Sequence, residues 1–243
     1  MGEVISVLSG KGGTGKTSVC AGLAQALVQQ GETVLCIDCN ACLGDLDMAL
    51  GISQLSALSF LDICSGNYGL DQALHHPLFP NLAFLSAPVS HTAQIDTDAF
   101  SRMLDDARSK FSYVLLDGPA GVGDGFKLAA SSADRVILVT TADPAAIRAA
   151  ARTGDALELM GKPNVRMIVN RTDPWDLNAM GVTVDDLMDR AGLPLLGLVP
   201  EDEKIFLAAV AQKPLLSFHK KGAAAACQRI AKRIRGQNVP VKL

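Results

Sequence analysis

The segment from Gly10 to Thr17 reads G-K-G-G-T-G-K-T and fits the phosphate-loop pattern G-x-x-x-x-G-K-[ST]. In such a loop, glycines let backbone N–H groups turn toward phosphates, Lys16 reaches the β- and γ-phosphates, and the Thr17 hydroxyl binds Mg²⁺. The apolar run Val4–Leu8 predicts a buried strand before the loop, and residues 17–30 have the apolar spacing of a helix that ends at Gly31. A strand, a glycine loop and a helix N-terminus form one anion-binding unit. We therefore predict that the chain binds a nucleotide.

The length and composition of the chain favour one large α/β domain. Its 243 residues are 49% hydrophobic, which suffices for a well-buried core. The apolar runs have the length of strands, and none reaches the about eighteen residues that a membrane span needs. The chain enters its first strand without an export signal, so we expect a cytoplasmic protein. Six cysteines in a chain of this size indicate reduced thiols better than a disulfide framework.

Strand-like apolar runs alternate with helical patterns along the chain, which is typical of a mostly parallel sheet with helices on both faces. We predict about seven strands, at residues 4–8, 33–37, 82–86, 113–116, 135–140, 165–169 and 195–199. Further helices are predicted at residues 99–111, 145–160, 184–191 and 205–211. The polar stretch at residues 66–81 is expected to be a loop or a short helical excursion. No second domain is indicated.

Four further segments accompany the loop and its additional lysine, Lys11. They are Ile37-Asp38 leading into residues 43–51, residues 115–121 (L-L-D-G-P-A-G), Val169-Asn170-Arg171, and residues 199–202 (V-P-E-D). Together these segments resemble the MinD/ParA family of P-loop ATPases over nearly the whole chain. The L-x-x-L-D spacing and the D-x-P-A-G segment resemble the MinD branch more than the DNA-partitioning branch. The resemblance implies a P-loop ATPase domain over residues 1–236, followed by a short tail at residues 237–243.

The resemblance also implies roles for individual residues. Asn170 would read adenine, residues 199–202 would close over the base, and Asp117 of the second switch would hold Mg²⁺ through water. The residues expected to bind ATP or ADP are Gly10, Gly12, Gly13, Thr14, Gly15, Lys16, Thr17, Ser18, Asp117, Asn170, Arg171, Pro200, Glu201 and Asp202. Mg²⁺ would be held by Thr17, Asp38 and Asp117, and catalysis would involve Lys11, Lys16, Asp38 and Asn40.

Lys11 lies at the mouth of the loop, where it cannot easily share the β- and γ-phosphates with Lys16 of the same subunit. The resemblance implies that Lys11 crosses a homodimer interface into the partner's site in the ATP state, as an arginine finger would. The alternative is an ordinary solvated loop lysine.

Two positions depart from the family pattern. Where the first switch usually reads D-x-D, this chain has Asp38-Cys39-Asn40, and an amide can orient a water but cannot act as a base. We therefore expect slow or near-absent hydrolysis. Gly44-Asp45 replaces an arginine-asparagine pair common in the MinD branch, which leaves the activating partner open.

The spacing Cys36-x-x-Cys39-x-x-Cys42 could suit a metal, because soft thiolates bind zinc or iron–sulfur clusters. If the strand continues, however, Cys36 and Cys39 point apart, and buried cysteines that act as small hydrophobes are commoner. The pair His75-His76 precedes Pro77 in an expected loop, where solvent-exposed histidines are commoner than metal ligands.

The C-terminal segment is basic. From His219 onward it has seven basic residues and no acidic ones, so the rest of the chain carries −3 − 7 = −10. Ala223, Ala226, Cys227, Ile230 and Ile234 form one helical stripe. Such a stripe more often packs on its own domain, and only two bulky aliphatics would face a bilayer, so we expect at most a weak contact with an anionic membrane. The Phe- and Leu-rich membrane helix that the resemblance implies is not found after Gly236.

The combined pattern predicts an ATP-driven dimerisation switch that recruits a protein activator or cargo. Its expected role is spatial regulation of cell division or of another cellular structure, in the cytoplasm and at the inner face of the membrane. A second hypothesis is a DNA-binding partition ATPase that uses the basic C-terminal surface and binds DNA in a salt-sensitive manner. A third and weaker hypothesis is a metallochaperone ATPase with metal on Cys36, Cys39 and Cys42.

Overall fold

The computed structural model describes residues 1–40, 44–88, 95–162 and 164–242, apart from the side chains of Asp176 and Met180. One eight-stranded sheet organises these residues. Its strands are β1 (Glu3–Ser9), β2 (Val34–Asp38), β3 (Leu74–His76), β4 (Phe79–Leu85), β5 (Tyr113–Ala120), β6 (Arg135–Thr140), β7 (Val165–Thr172) and β8 (Leu195–Pro200). Their order across the sheet is β3-β4-β2-β5-β1-β6-β7-β8, and only β3 runs antiparallel to its neighbour.

Helices cover both faces of this sheet. They are α1 (Lys16–Gln29), α2 (Leu46–Leu50), α3 (Phe60–Cys64), α4 (Thr97–Lys110), α5 (Asp124–Ser132), α6 (Pro144–Leu159), α7 (Pro174–Met180), α8 (Val184–Ala191), α9 (Glu203–Val210), α10 (Leu215–Phe218) and α11 (Gly222–Ile234). Helices α1 and α11 pack on one face with α2, α9 and α10, while α3 to α6 supply the apolar core of the other. No described helix combines the length and apolar character that a membrane crossing requires.

The predicted fold class is confirmed. All seven predicted strands are present, and the five predicted helices lie within two residues of their expected limits. The expectation for residues 66–81 is partly wrong, because this stretch contains one 3₁₀ turn at Leu70–Gln72 but also β3 and the start of β4. The expectation for His76 is wrong as well. Its ring is buried, with Nε2 2.9 Å from the carbonyl oxygen of Leu50 and Nδ1 accepting from the Leu78 amide.

The C-terminal helix packs on its own domain, as the stripe indicated. Ala223, Ala226, Cys227, Ile230 and Ile234 are all buried in the core that α11 shares with α1 and β8. Ile230 and Ile234 are therefore buried, and a weak contact with an anionic membrane through the basic residues of this helix stays a prediction. Two arginines of α11 hold the C-terminal tail against the helix. Arg229 donates to the carbonyl oxygen of Lys242, and Arg233 donates to the carbonyl oxygens of Val239 and Pro240.

The cysteines behave as small hydrophobes. Cys36 and Cys39 are both buried, but their side chains belong to the cores on opposite faces of the sheet. The two thiols therefore cannot share one metal ion, as the alternation along the strand predicted. Cys42 lies outside the described residues. Within the described residues, no three histidine, cysteine, aspartate or glutamate side chains form a group that could hold a metal ion.

Candidate nucleotide-binding site

The phosphate-binding loop connects the end of β1 to the first turn of α1. Gly13 and Gly15 both have φ of +81°, a backbone conformation that favours glycine. Gly15 is the residue before the helix, and no side chain caps the first turn of α1. The N-terminal amides of α1 are therefore available to an anion, and the helix dipole favours negative charge there.

A cavity of about 540 Å³ opens beside this loop. Its walls are Lys11, Gly12, Gly13 and Thr14 of the loop, residues 141–144 after β6, Arg171 near the end of β7, Asp173, Leu177 and Ala179 after β7, and Glu201 after β8. Every one of these segments lies at or just beyond the carboxyl end of a strand, which is where open parallel sheets bind their ligands. The loop thus forms one end of a cavity large enough for a nucleotide.

Lys16, Thr17 and Asp117 form one contact network beneath the loop. The Lys16 ammonium donates to Oδ1 of Asp117, and the Thr17 hydroxyl donates to Oδ2 at 2.8 Å. Burial raises the pKa of Asp117, while the positive charge of Lys16 acts in the opposite direction. The structure therefore brings Asp117 into contact with Lys16 and Thr17, two predicted site residues that lie about one hundred positions earlier in the sequence.

Asp38 stands next to this network because β2 pairs with β5 and places Asp38 opposite Asp117. One oxygen of its carboxylate accepts from the Asn40 amide at 2.9 Å, and the other accepts from the Leu46 amide at 3.2 Å. Burial, followed by the negative charge of Asp117, raises the pKa of Asp38 to about 6. Asp38 thus ties the end of β2 to the start of α2. The half-buried Asn40 makes no side-chain hydrogen bond to another described residue.

Asn170 holds the phosphate-binding loop in place through a hydrogen bond to its backbone. Its amide nitrogen donates to the carbonyl oxygen of Thr14 at 2.8 Å, and a Cβ at Gly15 would collide with this amide. Gly10 is equally restricted, since a Cβ there would collide with the Thr153 side chain and the Ala149 carbonyl of α6. The Asn170 oxygen and the Thr14 hydroxyl are buried without a partner among the described residues. Asn170 does not line the cavity, so its role in reading adenine stays a prediction.

Arg171 and Glu201 face each other across the far end of the cavity. Arg171 has a positive φ of 54°, unusual for a residue with a side chain, and its Nε donates to Glu201 at 2.5 Å. Pro200 ends β8 directly before Glu201. Asp202 lies elsewhere, because its carboxylate caps α9 through the Lys204 amide and holds the start of α11 through the Ala223 amide. Ser18 also lies outside this cavity and lines a smaller one between α1, α2 and α9.

Lys11 stands at the cavity mouth with half of its side chain exposed. Its ammonium lies 3.4 Å from Oδ1 of Asp143, whose other oxygen accepts from the Thr141 hydroxyl at 2.5 Å. Asp143 also caps α6 through the Ala146 amide. This residue was missed in the sequence, although Asp143-Pro144 after a predicted strand carries the signal of a helix N-cap.

These residues fit a nucleotide and its metal. The uncapped helix N-terminus and the positive-φ glycines suit phosphates. The buried Thr14 hydroxyl and the buried Asn170 side-chain oxygen can each still form a hydrogen bond. The Thr17 hydroxyl and the carboxylates of Asp38 and Asp117 supply the hard oxygen ligands that Mg²⁺ prefers. The Lys16 ammonium, now bonded to Asp117, is the group that would compensate phosphate charge.

Comparison with known proteins agrees with this geometry. Residues 5–215 match the CobQ/CobB/MinD/ParA nucleotide-binding domain. The chain is 35% identical to the septum site-determining protein MinD of Synechocystis over 99% of its own length and 92% of that protein. The MinC:MinD cell division complex of Aquifex aeolicus contains a similar chain, with a TM-score of 0.91, 32% identity and coverage of 99% and 98% of the two chains. MinD of Pyrococcus horikoshii, solved with Mg-ADP, has a TM-score of 0.83, 27% identity and 96% coverage of both chains.

The matched segment spans most of the chain and includes the loop, both switch segments and the walls of the cavity. The chain therefore belongs to the CobQ/CobB/MinD/ParA family of nucleotide-binding domains, and its relatives in cell division are MinD ATPases.

Proposed function

We propose that this chain is an ATP-dependent dimerisation switch that hydrolyses ATP slowly and regulates the position of the division septum or of another cellular structure. Two subunits would pair through their cavity mouths in the ATP state and separate after hydrolysis. Membership of a family with MinD relatives supports this role, and the arrangement of Lys11 supports the mechanism.

The placement of Lys11 carries the proposal. Lys16 lies beneath the loop on Asp117, whereas Lys11 lies at the opening with an exposed ammonium. The contact of Lys11 with Asp143 is long and solvent-exposed, and pairs of this kind contribute about 0–1 kcal/mol. Lys11 can therefore leave Asp143 at little cost and reach the phosphates of a second subunit.

The residues of the chain have separate tasks in this scheme. Mg²⁺, held by Thr17, Asp38 and Asp117, would neutralise phosphate charge. Lys16 would move from Asp117 toward the β- and γ-phosphates. Asn40 would orient the attacking water through its side-chain oxygen but could not accept a proton, which is consistent with slow turnover.

A lysine that acts across a dimer makes the ATPase rate per chain depend on protein concentration. We expect the rate per chain of the wild type to rise with concentration, and the rate of Lys11→Ala to stay low at every concentration although ATP still binds. Lys232→Ala removes an exposed lysine in the last turn of α11, at the other end of the sheet, and should behave like the wild type. A concentration-independent rate with full activity of Lys11→Ala would refute the proposal.

The proposed protein partner is inferred from a relative of this chain. The Aquifex relative forms a complex with MinC, and we propose that a MinC-like protein binds the ATP state of this chain. Peripheral binding to the inner face of the membrane is a separate part of this proposal. Sedimentation with anionic liposomes and with duplex DNA, in ADP and in ATP with Mg²⁺, separates this proposal from a DNA-partition role: ATP-dependent binding to liposomes supports it, and binding to DNA alone contradicts it.

A further inference from the structure

A second cavity lies at the end of the sheet opposite the nucleotide site. Its volume is about 460 Å³, and it lies where β6, β7 and β8 begin and α11 ends. Because these strands run parallel, this end is separated from the nucleotide cavity by the full strand length, roughly 20 Å for six residues. The lining residues are Arg135, Asn164, Arg166, Leu196, Arg233, Ile234, Gly236, Gln237, Asn238 and Val239.

The lining has the chemistry of an anion site. Three guanidinium groups and three side-chain carboxamides contribute to it, and no aspartate or glutamate is among its described lining residues. Arginine forks and amide N–H groups are the donors that recognise phosphate and carboxylate oxygens in proteins.

The arginines are held in place mostly by neutral groups. Arg233 donates to the carbonyl oxygens of Leu196 and Val239, each at 2.8 Å. Carbonyl oxygens orient a guanidinium without cancelling its charge. Burial, and then the nearby charge of Arg229, lowers the pKa of Arg233, so a bound anion would relieve an unfavourable charge here.

Arg135 and Arg166, the other two arginines of the cavity, differ in their contacts. Arg135 is bonded to the carbonyl oxygen of Ile234 at 3.1 Å and forms an ion pair with Glu3 at 2.9 Å. Arg166 is exposed and has no hydrogen-bond or ion-pair partner within the described ranges. Among the described residues, Glu3 is thus the one carboxylate that pairs with any of these three guanidinium groups. The guanidinium of Arg166 is the one that is free to turn fully toward a ligand.

We propose that this cavity binds a phosphate-bearing anion, with Arg166 as the principal donor and Arg233, Gln237 and Asn238 as supporting groups. The phosphate could be free or could belong to a lipid head group, since both present the same oxygens. The inference is independent of ATP-driven dimerisation, because the two cavities share no residue.

The test uses the full chain saturated with Mg-ADP, titrated with inorganic phosphate while the side-chain amide NMR signals of Gln237 and Asn238 are followed. Arg166→Gln should weaken binding about ten-fold, the effect of one charge-assisted hydrogen bond. The control Arg152→Gln removes the same charge from an exposed position on α6 and should leave binding unchanged. Gln237→Glu, which adds a negative charge to the rim, should weaken binding as well.

A second arm replaces phosphate with vesicles of phosphatidylcholine, with and without phosphatidylglycerol. If phosphate shifts the amide signals and Arg166→Gln weakens this effect, the site takes free phosphate. If only phosphatidylglycerol vesicles bind, and binding is lost in Arg166→Gln but kept in Arg152→Gln, the ligand is a lipid head group. Absence of both effects, or equal losses in the two variants, would overturn the proposal.

Discussion

At the scale of single residues, one buried ammonium organises the candidate nucleotide-binding site. Lys16 is 7% exposed and Asp117 is 1% exposed, so their ion pair is shielded from water. Asp38 lies beside Asp117 on the neighbouring strand, and burial raises the pKa of both carboxyl groups. The sequence motifs singled out these residues, and the structure brings them together, but the motifs carried no information on the contacts, which depend on strand pairing between distant segments.

Asn40 is the residue that should limit hydrolysis. Asn40→Asp restores a carboxylate that can accept a proton from water, and general bases contribute about 10²–10⁴-fold in rate. We expect phosphate release by the dimer to rise at least about ten-fold, with ATP affinity unchanged. Asn67→Asp, an exposed substitution outside the site, serves as the control. An unaltered or lower rate in Asn40→Asp would show that hydrolysis is limited elsewhere.

Asn170 should matter through the loop that it supports. Asn170→Asp keeps the shape but cannot donate to the Thr14 carbonyl, and a buried acceptor left unpaired costs about 1–3 kcal/mol. We therefore expect ADP affinity to fall by about ten-fold or more in titrations with a fluorescent ADP analogue. Asn178→Asp on the exposed side of α7 should bind normally. Equal affinities of the two variants would mean that Asn170 does not hold the loop.

At the scale of elements, length accounts for much of what could be predicted. The buried five- to eight-residue strands and six helices of eight or more residues (α1, α4, α6, α8, α9 and α11) carry clear periodicity and were found in the sequence, whereas α5, with nine residues, and α7, with seven, were not predicted. Helices α2, α3 and α10 have four or five residues, too few for a helical repeat to show. Strand β3 has three residues in a polar stretch and is held by tertiary contacts. Among these is His76, which joins β3 to the end of α2 through Leu50.

This histidine makes stability depend on pH. Burial lowers the pKa of His76, so the folded state keeps the ring neutral while the unfolded chain takes up a proton near its ordinary pKa of 6.5. The contribution of His76 is therefore fully present above about pH 6.5 and is lost as the pH falls toward the folded-state pKa.

Urea unfolding at pH 7.5 and pH 5.5 measures this effect. Between pH 7.5 and pH 5.5, we expect the free energy of unfolding to decrease more in the wild type than in His76→Gln. The neighbouring His75 is exposed, so His75→Gln should keep the pH dependence of the wild type. If His76→Gln and the wild type showed the same change between the two pH values, the buried ring would not be responsible.

At the scale of the whole molecule, the parallel sheet explains why the site could be predicted at all. The loop, Asp38, Asp117 and the cavity walls lie at or just beyond the carboxyl ends of β1, β2, β5, β6, β7 and β8, which meet at one edge of the sheet. The strand order across the sheet reverses direction at β1, which has β5 on one side and β6 on the other. The phosphate loop begins at the end of this strand. The amino ends of the strands form a separate surface with its own arginine-lined cavity.

The central claim is that ATP joins two copies of this molecule through Lys11. Sedimentation equilibrium measures it directly, with the wild type and Lys11→Ala each in Mg-ADP and in Mg-ATP. We predict a mass of 25.5 kDa for the wild type in ADP, twice that mass in ATP, and the single mass for Lys11→Ala in both nucleotides. A wild type that stays at the single mass in ATP, or a Lys11→Ala variant that dimerises as well as the wild type, would contradict the account.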